Sequence, residues 1–167
     1  MKHVMVDIEK LGVIASIGAV EFDGSGDLKT FYRIIDQTSA LLVGLPLEVS
    51  TIEFWQQQKD EAIKPLLDSA NKVCLQLALK DFSKFVDGNT WLWAKGPDYD
   101  CVELAACYRA CKMKVPWFYR NTRDVRTITA LADVEPVVPA NAHDALSDAT
   151  AQAQTVVLAY RKLGLKI

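Results

Sequence analysis

The N-terminal part of the chain has the hydrophobic pattern of β-strands. Apolar residues occupy every second position from Val4 to Ile8, within a predicted strand over residues 3 to 8. Residues 13 to 23 and 28 to 35 are also typical of strands, and the turn-forming sequence GSGD separates these two segments. This order predicts a three-stranded antiparallel meander.

The rest of the chain alternates helical and strand patterns after an irregular stretch over residues 36 to 50. Its predicted helices cover residues 51 to 58, a segment interrupted near Pro65, residues 75 to 86, residues 98 to 112, and residues 144 to the C-terminus. Its predicted strands cover residues 90 to 96 and 123 to 128, the latter followed by a short helix. These elements predict an α/β fold with a mixed five-stranded sheet, three strands antiparallel and then two parallel, covered by helices.

The length and composition are those of an ordinary globular protein. The 167 residues predict one domain over residues 1–167, and half of them are hydrophobic. No stretch approaches the ~20 consecutive apolar residues that a membrane span needs. The start of the chain has no continuous apolar segment typical of a signal peptide. We therefore expect a cytoplasmic protein with no membrane partner.

The distribution of charge is less even than the net charge of −2 suggests. Between Lys95 and Arg126 there are seven basic and four acidic residues, so this region carries +3. A solvated surface explains such a cluster, and it is only a weak indication of a polyanionic substrate.

The cysteines and histidines do not indicate a structural zinc site. The four cysteines contain no Cys-x-x-Cys pair, and the chain has only two histidines. Cys101 and Cys111 fall on an apolar helical stripe. We therefore expect reduced thiols in the core.

Asp7 and Glu9 are the first candidates for chemistry. They are two residues apart on a predicted strand, so their side chains point to the same face. Carboxylates this close repel each other, and one of them is expected to resist ionisation. The pair is either ordinary surface charge or the binding site of a cation that needs both groups.

Three further candidates lie at helix starts. Asp100 falls in the first turn of a predicted helix. His143 and Asp148 are five residues apart, which is about 500° on an ideal helix, so they would not share a face. They converge only if His143 lies in the loop that enters the last helix and Asp148 lies in its early turns.

The order of these residues resembles the DEDDh family of 3′→5′ exonucleases, which have the ribonuclease H-like fold. The resemblance covers essentially the whole chain. It is strongest to the small phage and prophage members, which are exodeoxyribonuclease VIII-like or related to a mycobacterial 3′→5′ exoribonuclease. The segments that carry it are SIGAVEFD, TIEFWQQQ, LWAKGPDYDCVEL, RDVRT and AHDALSDA.

The resemblance implies a role for each candidate. Asp7, Glu9, Asp100 and Asp148 match the family's four acidic metal ligands, and His143 matches the histidine that activates water. Two Mg²⁺ or Mn²⁺ ions would then neutralise the carboxylates and stabilise both the attacking and the departing oxygen. The expected substrate is the 3′ end of a nucleic acid, with single-stranded DNA first, and the expected products are nucleoside 5′-monophosphates.

Substrate contacts follow less directly from the resemblance. Lys10 stands where many relatives have Thr or Ser, and the segment before SIGA is short. Leu11 could wedge against a base or belong to the core. Trp55 and Gln58 lie in a segment similar to the family's T-x-x-W-W-x-x-Q, where an aromatic residue could stack on a base or pack in the core. The remaining candidates could contact phosphate or brace the sheet, namely Arg123 and Arg126.

Two alternatives to a DNA exonuclease remain open. An RNA-directed exonuclease or oligoribonuclease would use the same residues, because the 2′-hydroxyl is read by local contacts. A catalytically silent module that binds nucleic acid or recruits protein could share the fold. The sequence does not distinguish a monomer from a homodimer.

Overall fold

A six-stranded mixed sheet forms the centre of the molecule, with strands in the order β4-β3-β2-β1-β5-β6. The computed structural model describes all 167 residues apart from the side chains of residues 60 and 69. The meander is antiparallel, whereas β5 and β6 run parallel to β1. The strands are β1 (Lys2–Leu11), β2 (Val13–Phe22), β3 (Lys29–Ile35), β4 (Lys72–Val73), β5 (Thr90–Ala94) and β6 (Thr122–Asp124).

Helices cover both faces of this sheet. They are α1 (Gln37–Leu42), α2 (Val49–Gln56), α3 (Asp60–Leu67), α4 (Leu75–Phe85), α5 (Asp100–Ala110), α6 (Val125–Ala132) and α7 (Ala145–Lys162). None of the helices in the described chain is both long and apolar enough to cross a membrane.

The predicted fold class is confirmed, with three local differences. The sheet has six strands rather than five, because β4 pairs with the end of β3. This strand has only two residues, too few to show the hydrophobic alternation of a strand in the sequence. Residues 37 to 42 form α1 within the stretch predicted as irregular, and the Asp36 side chain caps this helix. The last strand ends at Asp124 instead of continuing to Ile128, because the Asp124 carboxylate caps α6.

The apolar side chains of β1 point alternately into two hydrophobic cores, one on each face of the sheet. Val4, Val6 and Ile8 pack with residues of α4 and α5 on one face of the sheet. Met5 faces the other side and packs against α7. Because successive side chains of a strand point to opposite faces, Asp7 and Glu9 share the α7 side with Met5.

The part of β1 that carries Asp7 and Glu9 extends beyond its parallel neighbour. The pairing of β1 with β5 covers only Lys2 to Met5. The pairing with β2 continues to Leu11, with a bulge between Glu9 and Lys10. The two acidic residues therefore lie where the sheet opens beyond the end of β5.

Gly18 allows α7 to approach the sheet closely. Gly18 lies opposite Asp7 in the pairing of β1 with β2. A Cβ atom at Gly18 would lie 2.2 Å from the carbonyl carbon of Ala145 and 2.4 Å from the backbone nitrogen of Leu146. The first turn of α7 thus rests directly on the backbone of β2, beside Asp7.

Substitution of Gly18 by alanine should separate α7 from the sheet. Overpacking costs about 1–3 kcal/mol, and here the clash is with backbone, which cannot rotate away. Each kcal/mol lowers the Tm of a chain of this size by about 2–4 °C. We expect Gly18→Ala to lower the Tm by several degrees in a thermal melt. Gly88→Ala should have a smaller effect, because its Cβ would meet only the Phe118 side chain, at 3.0 Å. Equal melting temperatures for the two variants would contradict the close approach.

Candidate active site

Three carboxylates converge at the end of the sheet. Oxygen atoms of Asp7, Glu9 and Asp148 all lie within 4.8 Å of one another. The first two residues project from β1, and Asp148 lies in the first turn of α7. The Gly18 contact positions that turn against the strands, so the fold brings the three groups together from distant parts of the chain.

Asp100 lies beside this cluster, but it is not among the residues whose oxygen atoms lie within 4.8 Å of one another. It is the first residue of α5, and its Oδ1 accepts a hydrogen bond from the backbone N–H of Ile8 at 3.4 Å. Its charge raises the pKa of Asp7, and so does the charge of Asp148. Asp100 therefore adds a fourth carboxylate next to the cluster.

Burial and mutual repulsion make the ionised form of these carboxyl groups costly. Burial raises the pKa of Asp7 well above its ordinary range, and the charges of Asp100 and Glu9 raise it further. Burial, followed by the charges of Asp148 and Asp100, raises the pKa of Glu9 to about 8. Burial likewise raises the pKa of Asp100 to about 7 and also raises that of Asp148. The site favours either bound protons or a cation.

The donor atoms fit a hard divalent cation. All groups in the cluster are carboxylates, and oxygen donors suit Mg²⁺ and Mn²⁺. The buried thiols of Cys101 and Cys107 belong to the core on the other face of the sheet. Thiolate ligation of a softer metal is therefore not favoured here.

His143 approaches Asp148 through its backbone. It lies in the loop before α7 with φ of 65°, and its N–H donates a hydrogen bond of 2.8 Å to Asp148 Oδ2. The imidazole faces the rings of Phe54 and Trp55, at centroid distances of 5.2 and 6.0 Å. This arrangement places His143 in a loop and Asp148 in an early turn, which is how residues five apart can converge.

Gln152 is a site residue that the sequence interpretation missed. It lies one turn after Asp148 on α7, and its Nε2 donates a hydrogen bond of 2.9 Å to Asp7 Oδ1. Its buried Oε1 has no hydrogen-bond partner among the described residues. The spacing of four from Asp148 was the available signal, since such residues share a helix face. Gln152 therefore orients Asp7.

Trp55 and Leu11 belong to a small core cluster next to the site. Trp55 is only 2 % exposed, and its indole N–H donates to the backbone oxygen of Lys10 at 2.7 Å. Leu11 is partly buried against the same cluster. This burial leaves no indole face for a base, so the core alternative describes Trp55. The neighbouring Phe54 is 41 % exposed and lies beside His143.

Lys10 is engaged in ion pairs. Its buried ammonium contacts the carboxylates of Glu48 and Glu103, the latter at 2.9 Å. Glu48 precedes α2 and Glu103 lies in α5. Lys10 therefore links β1 to two helices that border the site, which explains how a lysine is accommodated directly after Glu9.

The remaining candidates differ in their proximity to the carboxylates. Gln58 and His143 line a cavity of about 660 Å³. Arg123 lies over the ring of Trp91 at 4.5 Å and donates to backbone oxygens of Arg120 and Thr122, so it braces the sheet edge. The charge of Arg126 opposes the rise in the pKa of Asp100, which places this guanidinium near the site.

The same fold occurs in solved nuclease structures. Cell-death related nuclease 4 (CRN-4) matches with a TM-score of 0.52 and 10 % identity over 98 % of this chain and 64 % of that protein. An exonuclease I from Methylocaldum szegediense matches with a TM-score of 0.65 and 12 % identity over 96 % and 40 % of the two chains. This protein thus spans less than two thirds of either relative. The nuclease domain of 3′hExo, a DEDDh family member bound to rAMP, matches with a TM-score of 0.57 and 13 % identity over 96 % and 92 %.

These neighbours show that the chain has the ribonuclease H-like fold. The chain belongs to the 3′-5′ exoribonuclease Rv2179c-like domain family, whose model matches residues 2–159. No curated protein matches the chain.

The raised pKa values predict an unusual pH dependence without metal. Folded Glu9 and Asp100 have pKa values of about 8 and about 7, whereas unfolded carboxyl groups have values of about 4. The folded state therefore binds more protons between these limits, and stability falls as the pH rises from about 5 to about 8. We expect the Tm in EDTA to fall over this range and Mg²⁺ to restore it most strongly at the alkaline end.

A matched pair of variants tests the source of this effect. Glu9→Gln should weaken the pH dependence in EDTA, because the amide does not titrate. Glu53→Gln, at an exposed position of α2, should not change it. A Tm that is independent of pH in the wild-type protein would contradict the burial of repelling carboxylates.

Gln152→Met removes the hydrogen bond to Asp7 with little change in volume. Loss of a partner that orients a metal ligand typically costs about 10–100-fold in metal affinity. We expect weaker Mn²⁺ binding by isothermal titration calorimetry, with the Tm in EDTA close to that of the wild type. Gln154→Met, at an exposed position of the same helix, is the control. Unchanged Mn²⁺ affinity in Gln152→Met would show that Gln152 only packs against Asp7.

Proposed function

We propose that this protein is a metal-dependent 3′→5′ exonuclease that hydrolyses phosphodiester bonds at the 3′ end of single-stranded nucleic acid and releases nucleoside 5′-monophosphates. The observation that carries this proposal is the convergence of Asp7, Glu9 and Asp148 within 4.8 Å, with Asp100 bonded to β1 and His143 bonded to Asp148 beside them. The bound rAMP in the 3′hExo nuclease domain supports a mononucleotide product.

The four carboxylates would hold two divalent cations. Asp7 would be the central ligand, because it shares the cluster with Glu9 and Asp148 and the charge of Asp100 also acts on it. Bound cations would supply charge stabilisation for the attacking and departing oxygens. The hydrogen bond from Gln152 holds one oxygen of Asp7 and leaves the other free to bind metal.

His143 would act as the general base. Its loop lies directly against Asp148, and its imidazole is bordered by aromatic rings. Imidazole is the side chain most often used as a general base near neutral pH. The Asp148 carboxylate holds the backbone of His143, so it can position the base as well as contribute to metal binding.

RNA competes with the DNA substrate expected from the sequence. The family is described as exoribonucleases, which favours RNA. The sequence resemblance to exodeoxyribonuclease VIII-like members favours single-stranded DNA. The association with phage or prophage genomes and the cytoplasmic location stay predictions from the sequence.

Release of mononucleotides from 3′-labelled strands tests the proposal. RNA and DNA, each single-stranded and duplex, should be compared with Mg²⁺, with Mn²⁺ and with EDTA. We expect activity only with metal, and a 3′-terminal phosphate should block it whereas a 5′ phosphate should not. Turnover without metal, or degradation from the 5′ end, would refute the assignment. Binding without cleavage of any substrate would favour the silent module.

His143→Ala separates the base from the metal ligands in the same assay. Loss of positioned acid–base catalysis should lower turnover by roughly 10²–10⁴-fold and should be partly relieved at higher pH. Affinity for a single-stranded oligonucleotide in Ca²⁺ should stay within a few-fold of the wild type. Asp148→Asn should instead lose metal affinity together with turnover. Near-normal turnover of His143→Ala would show that His143 is only a structural residue of the loop and not the general base.

A further inference from the structure

The imidazole of His143 is held by aromatic rings rather than by a hydrogen bond to another side chain. The backbone N–H of His143 donates to Asp148 Oδ2, which fixes the main chain but leaves the side chain free to rotate. In many general bases a carboxylate or carbonyl oxygen accepts from the second ring nitrogen and orients the ring. Among the described residues, no such bond is made by the His143 imidazole. Its orientation therefore depends on packing.

Two rings of α2 provide this packing. The centroids of the Phe54 and Trp55 rings lie 5.2 and 6.0 Å from that of the His143 imidazole. The interplanar angles are 81° and 74°, so both contacts are edge to face. This is a preferred arrangement of aromatic rings, and rotation of the imidazole would break it.

Trp55 attaches this aromatic pair to the strand that carries the carboxylates. It is 2 % exposed, and its indole N–H donates to the backbone oxygen of Lys10 at 2.7 Å. The ring of Phe54 lies 5.7 Å from that of Trp55, again edge to face at 81°. Because Lys10 follows Glu9 directly, the two rings are attached to β1 immediately beyond the metal-ligand candidates.

The start of α2 is attached to the same part of the sheet. The backbone N–H of Glu48 donates to the carbonyl oxygen of Gly12 at 2.6 Å, and the Gly12 N–H donates to Thr51 Oγ1 at 2.8 Å. The Glu48 carboxylate also pairs with the Lys10 ammonium. A helix attached in this way can hold a side chain at a constant position relative to the carboxylates of β1.

Phe54 is the exposed member of the aromatic pair, at 41 %. One role for such a ring beside an active site is to stack on a base. Its contact with His143 indicates a different role, because this contact exists without a substrate. We propose that Phe54 is a positioning residue, which holds the imidazole of His143 in the orientation needed to activate water. The inference rests on the proposed exonuclease function, in which His143 is the general base.

Side-chain NMR tests this positioning without substrate or metal. The chain has only two histidines, and His3 packs against other aromatic rings near the start of β1, so its signal reports whether the fold is intact. In EDTA at one fixed pH, we expect Phe54→Leu to lower the order parameter of the His143 imidazole and to leave that of His3 unchanged. Phe54→Tyr should retain the wild-type value, because it keeps the ring. Phe118→Leu, which removes a 51 % exposed ring elsewhere on the surface, is the control.

Kinetics and binding separate positioning from base stacking. A displacement of about 1 Å in an active site can cost about 10²-fold in rate. We expect Phe54→Leu to lower kcat by about this factor, and Phe54→Tyr to keep kcat near the wild-type value. The affinity of Phe54→Leu for a single-stranded oligonucleotide in Ca²⁺ should stay within a few-fold of the wild type. Loss of a stacking ring would instead weaken this affinity by about 5–150-fold, and that result would overturn the proposal.

A double variant tests whether Phe54 acts through His143. If it does, Phe54→Leu should lower turnover by no more than a few-fold when His143 is already alanine, because the two effects are not additive. A further loss of about 10²-fold in that background would contradict the proposal. So would an unchanged His143 order parameter in Phe54→Leu, even in an active exonuclease. Failure of the exonuclease function is seen separately, as absence of turnover by the wild-type protein with Mg²⁺ or Mn²⁺.

Discussion

The crowding of carboxylates at the open end of β1 is the constraint on which the rest of the site depends. Burial raises the pKa values of all four acidic residues, and repulsion between carboxylates of the site raises those of Asp7 and Glu9 further. A folded protein keeps such groups together only if other contacts outweigh the repulsion or if a cation compensates it. The core on both faces of the sheet and the close approach of α7 provide the first condition. Divalent metal would provide the second.

Two helix starts bring the remaining acidic residues to β1. Asp148 and His143 come from the start of α7, and the imidazole borders the aromatic rings of α2. Asp100 comes from the start of α5, and its carboxylate accepts a hydrogen bond from the backbone N–H of Ile8 in β1.

Some of this arrangement could be predicted from the sequence because it follows from local periodicity. The spacing of Asp7 and Glu9 determines a shared face on any strand, and the loop before α7 was needed for His143 to approach Asp148. Features that depend on tertiary contacts could not be predicted in this way. The pairing of β4 with β3 involves two residues, Trp55 is buried by segments distant in sequence, and the role of Gln152 depends on the distance between two elements. At Asp124 the strand ends and a helix begins because the Asp124 carboxylate caps α6, which the hydrophobic pattern does not reveal.

The contact at Gly18 has a mechanical consequence. Most helices lie on a sheet through a layer of side chains, which can change rotamer and absorb small displacements. At Gly18 the backbone of α7 meets the backbone of β2 without such a layer. Local compliance between the two elements is therefore low, and Asp148 cannot shift relative to Asp7 without moving the helix as a whole. The spacing of the acidic groups is thus set before any ligand arrives, so binding requires little reorganisation of the protein.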